Sequence, residues 1–556
     1  MPDHSLRPSI SDEIAEYHRI AASYLSRPPD PRFSVLAIGW YQKALQNNPR
    51  CIETHLKLAQ AHHKLGQHEQ ALRCCTQALA IEPESLAVRY VACMLQLPIL
   101  YRTQEAITLC RHQYREQLLA LQHALKNAPT YAVAELADIV GMVSPFYLIY
   151  QGHNDVELQT IYGQIVCHIL AARYPQYAFE RQLPLPAVTE PLRIGVVFGH
   201  FHKHSVWKVV VKGWLAHLDH DRFQLTGYSL GTRQDEETEL ARSLLHAYIE
   251  GPHSIESWGE IISADQPHIL LYPEVSMSRV AIQLSALRLA PIQCTTWATY
   301  VTSGLPTIDY YLSGELLEPT DAAQHHTEQL VLLPTLSIHY SPLRVATADL
   351  DRAAFGLRPS AVVYLCIQSL FKYLPQYDAI YPRIAKAVGD CQFVFLKHKS
   401  AESLTRIFVN RLRAAFAAQG LDMERYVVMQ PALSDAAYHR LNELADVFLD
   451  SIGVAGTTTT LEAIEYDLPI VTLPSPFLRG RVSNAILQRM SVTLTIAESV
   501  EHYVAVATRL GQDTVWRQKV TAQMARNKQH VYEDMDCVEA LEEAFLTFAE
   551  RMRTAQ

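Results

Sequence analysis

Leu444-Ala445-Asp446-Val447-Phe448-Leu449-Asp450, followed by Ala455-Gly456-Thr457-Thr458-Thr459-Thr460-Leu461-Glu462 and Ala463-Ile464-Glu465-Tyr466, is the stretch on which the reading of this chain turns. An apolar run ending in an acid, a glycine and an amphipathic segment spell strand, tight turn and helix start. The first turn of a helix carries unpaired N–H groups and the positive end of the helix dipole, so it can hold a phosphate. Three or four hydroxyls add donors there, and Glu462, one turn in, can take a ribose hydroxyl. The guest implied is a nucleotide diphosphate. The plainer reading makes Thr457 an ordinary N-cap.

Outward from this point, strands and helices alternate. Strand candidates before it are Leu192–Gly199, Phe223–Tyr228, His268–Tyr272, Ile308–Leu312, Val362–Leu365, Gln392–Leu396 and Tyr426–Met429, and Pro469–Leu473 follows it. Apolar runs separated by helical segments indicate parallel sheets covered on both faces. The strands fall into two blocks parted by a connector over Thr335–Pro359, which predicts two doubly wound, Rossmann-like domains, 186–345 and 346–556, the second with terminal helices. Ligands in such folds lie beyond the C-terminal strand ends, so the cleft between the blocks is the expected site.

The N-terminal part is different. Ala37, Tyr41, Ala44 and Pro49 recur 34 residues later as Ala71, Cys75, Ala78 and Pro83, with Leu58-Ala59 and Gly66 where a first helix and its turn belong. Small residues at these places let paired helices approach closely, and the spacing is the tetratricopeptide signature. A weaker third unit runs through Leu97–Leu119, with Ala106 at an offset of 35. Residues 1–119 are therefore expected to be repeats and 120–185 a helical cap and linker. That linker ends in the proline-rich connector Gln182–Pro191.

Composition narrows the function classes. In 556 residues, 49% are hydrophobic and 19% charged, as in ordinary folded proteins. A net charge of −9 without a Lys/Arg block argues against a nucleic-acid partner. The first residues, Met1-Pro2-Asp3-His4-Ser5, lack the basic and apolar regions of a signal peptide, and Tyr90–Tyr101 is too short and interrupted to span a bilayer. The ten cysteines, with Cys74 and Cys75 adjacent, read as core thiols of a reducing cytoplasm and not as a disulfide framework or zinc site.

Three segments can carry chemistry in the cleft. Lys372 follows the strand at Val362–Leu365 and can neutralise a diphosphate, although most lysines are solvated surface groups. His204 follows the strand and turn at Leu192–Gly199 and can act as acid or base, although any one of 25 histidines is more often a loop residue. Ala290–Gln293 through Thr302–Pro306 can line the cleft from the first block. No acid pair, metal-ligand cluster or Walker loop stands out in the sequence.

Taken in order, these pieces resemble the Spindly and O-GlcNAc transferase family of nucleocytoplasmic protein glycosyltransferases. The resemblance rests on Arg193-Ile194-Gly195, His204-Ser205-Val206, Ala290–Gln293, Thr302–Tyr310, Leu370-Phe371-Lys372, Leu449-Asp450, Ala455–Thr460 with Glu462, Pro469–Leu473 and Gly480-Arg481-Val482, behind the repeat prefix. It implies a GT-B fold, two Rossmann-like domains facing across a cleft. It also implies inverting transfer of one sugar, UDP-GlcNAc being the first donor to consider, to Ser or Thr hydroxyls of proteins without a bound metal. His204 falls on the family's active-site histidine, Lys372 on its diphosphate-stabilising lysine, and Thr458 and Thr459 on the diphosphate-binding threonines. Glu462 falls on the ribose carboxylate, and Gln368 lies close to a polar residue that touches phosphate or sugar. Gly456 and Thr457 complete the turn. Asp265 and His268 resemble an Asp…His pair near the acceptor in the domain that the resemblance makes the acceptor side.

The chain also departs from the pattern. Gly-Tyr-Pro before Thr-Ser-Gly has become Ala298-Thr299-Tyr300, and Pro273-Glu274-Val275-Ser276 replaces a glycine-containing turn. Thr457 stands where O-GlcNAc transferases have histidine, Tyr438 replaces a histidine associated with the nucleotide, and Asp435 a lysine. UDP-glucose, GDP-fucose and N-linked transfer therefore stay open. So does a non-catalytic tetratricopeptide scaffold with a degenerate transferase. Acceptor proteins are the expected partners, met through the repeats and the cleft, with no nucleic acid and no membrane.

Overall fold

The computed structural model describes residues 10–25, 31–179, 190–342 and 345–554. It opens with helix hairpins: α1 (Ile10–Leu25) with α2 (Pro31–Asn47), then α3 (Ile52–Lys64) with α4 (His68–Ile81). The residues that repeat are the ones that pack, since Ala37, Tyr41 and Ala44 of α2 and Ala71, Cys75 and Ala78 of α4 are all buried. The third pair is lopsided: α5 (Leu86–Met94) has 9 residues and α6 (Gln104–Asn127) has 24. Ala106 is only half-buried there, and Ile107 takes the inward place. Two more helices follow, α7 (Thr130–Glu135) and α8 (Val156–Arg173). This prefix does not stand apart. One apolar core joins α2 through α8 to Trp258, Ile262, Ile282 and Leu284 on the outer face of the first sheet. The α3–α4 turn also meets the second domain, because a Cβ on Gly66 would lie 2.5 Å from Leu404.

The first sheet has seven parallel strands, β1 (Leu192–Phe198), β2 (Phe223–Ser229), β3 (Ala247–Glu250), β4 (Ile269–Tyr272), β5 (Ile292–Thr296), β6 (Tyr310–Gly314) and β7 (Gln329–Leu333). Their order is β3-β2-β1-β4-β5-β6-β7. The second has β8 (Val362–Cys366), β9 (Cys391–Leu396), β10 (Val427–Gln430), β11 (Val447–Leu449) and β12 (Ile470–Val471), in the order β10-β9-β8-β11-β12. Chain order reverses beside β1 in one sheet and beside β8 in the other, and such switch points open a crevice at the carboxyl ends. The expected two-domain α/β architecture behind a helical repeat region is the one observed.

Some boundaries move. Strands β3, β5 and β7 are not among the expected strands, the segment that holds β5 being expected only as cleft lining. β3 and β7 are edge strands with half-exposed faces, and the buried β5 reads Ile292-Gln293-Cys294-Thr295-Thr296, so none shows the continuous apolar run of a buried parallel strand. The connector Gln182–Pro191 lies outside the described residues except for Glu190 and Pro191. The last helix, Asp536–Thr554, is not part of the second domain but returns to the first. Phe548 stacks on Tyr310 at 3.8 Å, and Glu542 accepts from the Asp219 amide at 2.8 Å and pairs with Arg222 at 2.9 Å.

Candidate functional site

The carboxyl ends of the two sheets face each other across a cavity of about 420 Å³. From the second sheet, the turns after β8, β9 and β11 bring Gln368, Lys372, Lys399 and Thr457–Thr459 to its wall. From the first, the turns after β1, β4 and β5 bring Ser205, Met277, Trp297 and Tyr300. Tyr150, on the 3₁₀ segment Pro145–Gln151 of the helical prefix, closes a third side.

The polar wall is a connected network. Lys372 Nζ donates to the Ala455 carbonyl at 2.9 Å and to Gln368 Oε1 at 3.3 Å, while Gln368 Nε2 donates to Thr459 Oγ1 at 2.6 Å. Asp450 closes the turn from below, accepting from the Gly456 amide at 2.8 Å and from the Thr472 hydroxyl at 2.9 Å. A side chain at 456 would displace this network, because its Cβ would lie 2.3 Å from Gln368 Nε2 and 2.4 Å from Thr459 Oγ1. The helix Thr458–Glu465 starts beside Lys372, so its free N–H groups and a cation share one wall. Of the four threonines, Thr460 turns inward to the Gly456 carbonyl at 3.1 Å and Ser483 at 2.8 Å, which leaves three hydroxyls at the cleft.

Burial shapes the charges. It lowers the Lys372 ammonium to about 8, against the pull of Asp450, and raises the Asp450 carboxyl to about 6. Only the protonated lysine attracts a diphosphate, so affinity for UDP or GDP is expected to fall about tenfold between pH 7 and pH 9. Lys372→Arg, which stays charged, should flatten that slope in calorimetric titrations. An equal slope in both proteins would remove Lys372 from the binding of the anion.

His204 stands at the rim, one residue before Ser205, with its ring stacked on His200 at 4.0 Å. Burial, then His202 and Arg233, lower it to about 4, so it is uncharged at neutral pH. Its Nδ1 accepts from the Val206 amide at 3.3 Å, which leaves the proton of the neutral ring on Nε2. Further along the cleft, Lys208 of the first domain reaches Glu462 at 3.1 Å, and Lys203 reaches Asp435 at 2.5 Å. Tyr438 is half-buried beside Glu462, and desolvation together with that carboxylate raises its phenol well above the usual range. Glu462 and Tyr438 thus lie together, beyond the residues that line the cavity itself.

Two groups of expected residues lie elsewhere. Asp265 and His268 precede β4 and sit at the amino end of the sheet, opposite the cleft: the Tyr228 hydroxyl donates to Asp265 at 2.9 Å, and the Arg193 amide to His268 Nδ1 at 3.0 Å. Nearness to a strand in sequence does not tell which of its ends faces the ligand. The segment from Ala290 to Pro306 contains β5, and only Trp297, Ala298 and Tyr300 within it reach the cavity. Thr302 and Ser303 instead donate to buried Glu328 at 2.5 and 2.7 Å, and Gly304 lies against α8, where a Cβ would meet the Gln159 carbonyl at 2.0 Å. Lys399, Tyr150 and Met277 were not foreseen. Lys399 had a signal, since it closely follows the end of β9, whereas Tyr150 arrives from a helical segment whose docking no local pattern encodes.

Residues 344–537 match the model of glycosyl transferase family 41, and residues 52–85 that of the tetratricopeptide repeat. Among curated proteins, the chain is 28% identical over 356 residues to a probable UDP-N-acetylglucosamine–peptide N-acetylglucosaminyltransferase SPINDLY of Oryza sativa, covering 62% of this chain and 37% of the relative. The protein of the same description from Solanum lycopersicum is 27% identical over 353 residues, with 61% and 36% covered. The chain thus spans little more than a third of the length of these relatives. A solved structure of a lysine-to-methionine mutant of the Thermobaculum terrenum O-GlcNAc transferase shares the fold over 99% of this chain and 100% of its own, with a TM-score of 0.72 at 20% identity. The resemblance to the Spindly and O-GlcNAc transferase family is borne out.

Proposed function

We propose that this chain is a glycosyltransferase that moves a single sugar, with inversion and without a metal, from a nucleotide donor to Ser or Thr hydroxyls of proteins. UDP-N-acetylglucosamine is the first donor to consider. The observation that carries the reading is the convergence of Lys372, Gln368 and the Thr457–Thr459 hydroxyls on one helix start. In such a transfer the acceptor oxygen bonds to the anomeric carbon as the bond from that carbon to the diphosphate breaks, and the acceptor loses its proton. The developing phosphate charge is the costly feature, and a fixed cation with oriented N–H and O–H donors stabilises it without reorganising. Glu462, beside Tyr438, is placed for the nucleoside end. His204, a neutral ring with its proton on Nε2, is suited to orient the sugar or the acceptor. The names of the relatives supply the donor and the peptide acceptor of this reading, and helical repeats suit an extended polypeptide.

The test is donor hydrolysis and self-modification with UDP-N-acetylglucosamine, UDP-glucose and GDP-fucose in parallel, read by intact mass and released nucleotide. Turnover with one donor names the sugar, and mapping the modified atom separates O- from N-linkage. If none of the donors turns over and no nucleotide binds, the transferase reading gives way to a scaffold.

A further inference from the structure

One contact in the cleft belongs to neither wall alone. The Tyr300 hydroxyl, from the turn after β5, lies 2.7 Å from Thr457 Oγ1, at the head of the phosphate-side helix. We infer that Tyr300 is a positioning residue for the donor diphosphate: its phenol donates to Thr457 Oγ1 across the cleft and so aims the Thr457 hydroxyl hydrogen at the phosphate. The inference rests on the diphosphate reading of that wall.

Three observations carry it. First, Thr457 is the residue before the helix, the place where a threonine normally turns its oxygen onto its own backbone, yet its side chain makes no cap bond. Its oxygen is held from the opposite domain instead. Second, Thr459 and Thr460 have partners within their own domain: Thr459 accepts from Gln368, and Thr460 bonds to the Gly456 carbonyl and Ser483. Tyr300 does for Thr457 what the second domain does for those two. Third, Tyr300 reaches Thr457 from a backbone φ of +62°, left-handed and uncommon for an aromatic residue. That turn is fixed by its own amide, which donates to the Trp297 carbonyl at 2.8 Å. Such a conformation persists where its surroundings dictate it.

The direction of the bond follows from acidity. A phenol is the stronger donor of the two hydroxyls, and when it donates to Thr457 it leaves the threonine hydrogen free for an anion. Bonds chained in this way also polarise one another.

The experiment is a double-mutant cycle on nucleotide affinity, using the full chain. UDP and GDP are titrated calorimetrically into wild type, Tyr300→Phe, Thr457→Val and the double variant, with melting midpoints recorded without nucleotide. Each single variant is expected to weaken binding about fivefold, and the double variant no further than the weaker single, because the two groups act as one unit. Tyr300→Phe should raise KM for the donor and change kcat by less than about twofold, with its nucleotide-free midpoint unmoved. Wild-type affinity in Tyr300→Phe, or losses that multiply in the double variant, would overturn the inference alone. If wild type binds neither nucleotide, the diphosphate reading and this inference fall together.

Discussion

Replacing Lys372 with methionine is expected to lower turnover with the cognate donor by about 10²–10³-fold, the usual cost of removing one fixed donor from a developing charge. The fold should survive. Lys372 Nζ bonds only to the Ala455 carbonyl and the Gln368 side chain, and burial already works against its charge. A methionine of similar length fills the same volume without that desolvation cost, so the melting midpoint should hold or rise. Donor affinity should fall less than turnover, because the helix start and the threonine hydroxyls still hold the ground-state diphosphate. The deficit therefore belongs mostly in kcat. Lys399, the other lysine on this wall, supplies the control: Lys399→Met should leave turnover far closer to wild type. Unimpaired kcat in Lys372→Met, with Lys399→Met inactive, would transfer the role to Lys399.

The parts of this molecule that could be read from sequence are those whose physics is local. The strand, turn and helix around Gly456 obey short-range rules, and the structure places them as the spelling of that stretch suggests. The repeat residues are buried because a 34-residue period is itself a packing pattern. What could not be read arises from distant partners. Thr302-Ser303-Gly304 looks like a loop for ligands, but buried Glu328 and α8 claim it. The pairing of Lys208 with Glu462 joins residues far apart in the chain, and neither of the two looks unusual in isolation. Asp265 and His268 fail for a different reason: a parallel strand offers equivalent flanks in sequence, and only the direction of the chain through the sheet shows which one meets the cleft. The final helix illustrates the same limit, since an amphipathic stretch carries no address for the sheet it covers.

Asp155→Asn is expected to produce the largest loss of stability, lowering the melting midpoint by about 5–10 °C. Asp155, just before α8, stands between two guanidinium groups: Arg111 of α6 at 2.6 Å and Arg479 of the second domain at 3.4 Å. Asp155 and Arg479 are both buried, so the substitution leaves an uncompensated cation where water cannot reach it. The pair also ties the helical prefix to the wall that carries Lys372. The Arg479 carbonyl accepts from the Ala455 amide at 2.7 Å, and the Ala455 carbonyl is the one that holds Lys372. Affinity for a nucleoside diphosphate should therefore drop together with stability, although Asp155 is not among the residues that line the cavity. Removing the two buried charges, and leaving only the part-exposed Arg111, tests the cause. A buried ion pair replaced by apolar residues of similar size commonly costs little, so Asp155→Leu with Arg479→Met should be less destabilised than Asp155→Asn. An unchanged midpoint in Asp155→Asn, or a double variant that loses more than the single, would show that the pair contributes packing volume and not charge. In that case the prefix would be held on the catalytic domains by the apolar contacts of Phe146, Tyr147 and Tyr150 with Phe371 and Val454.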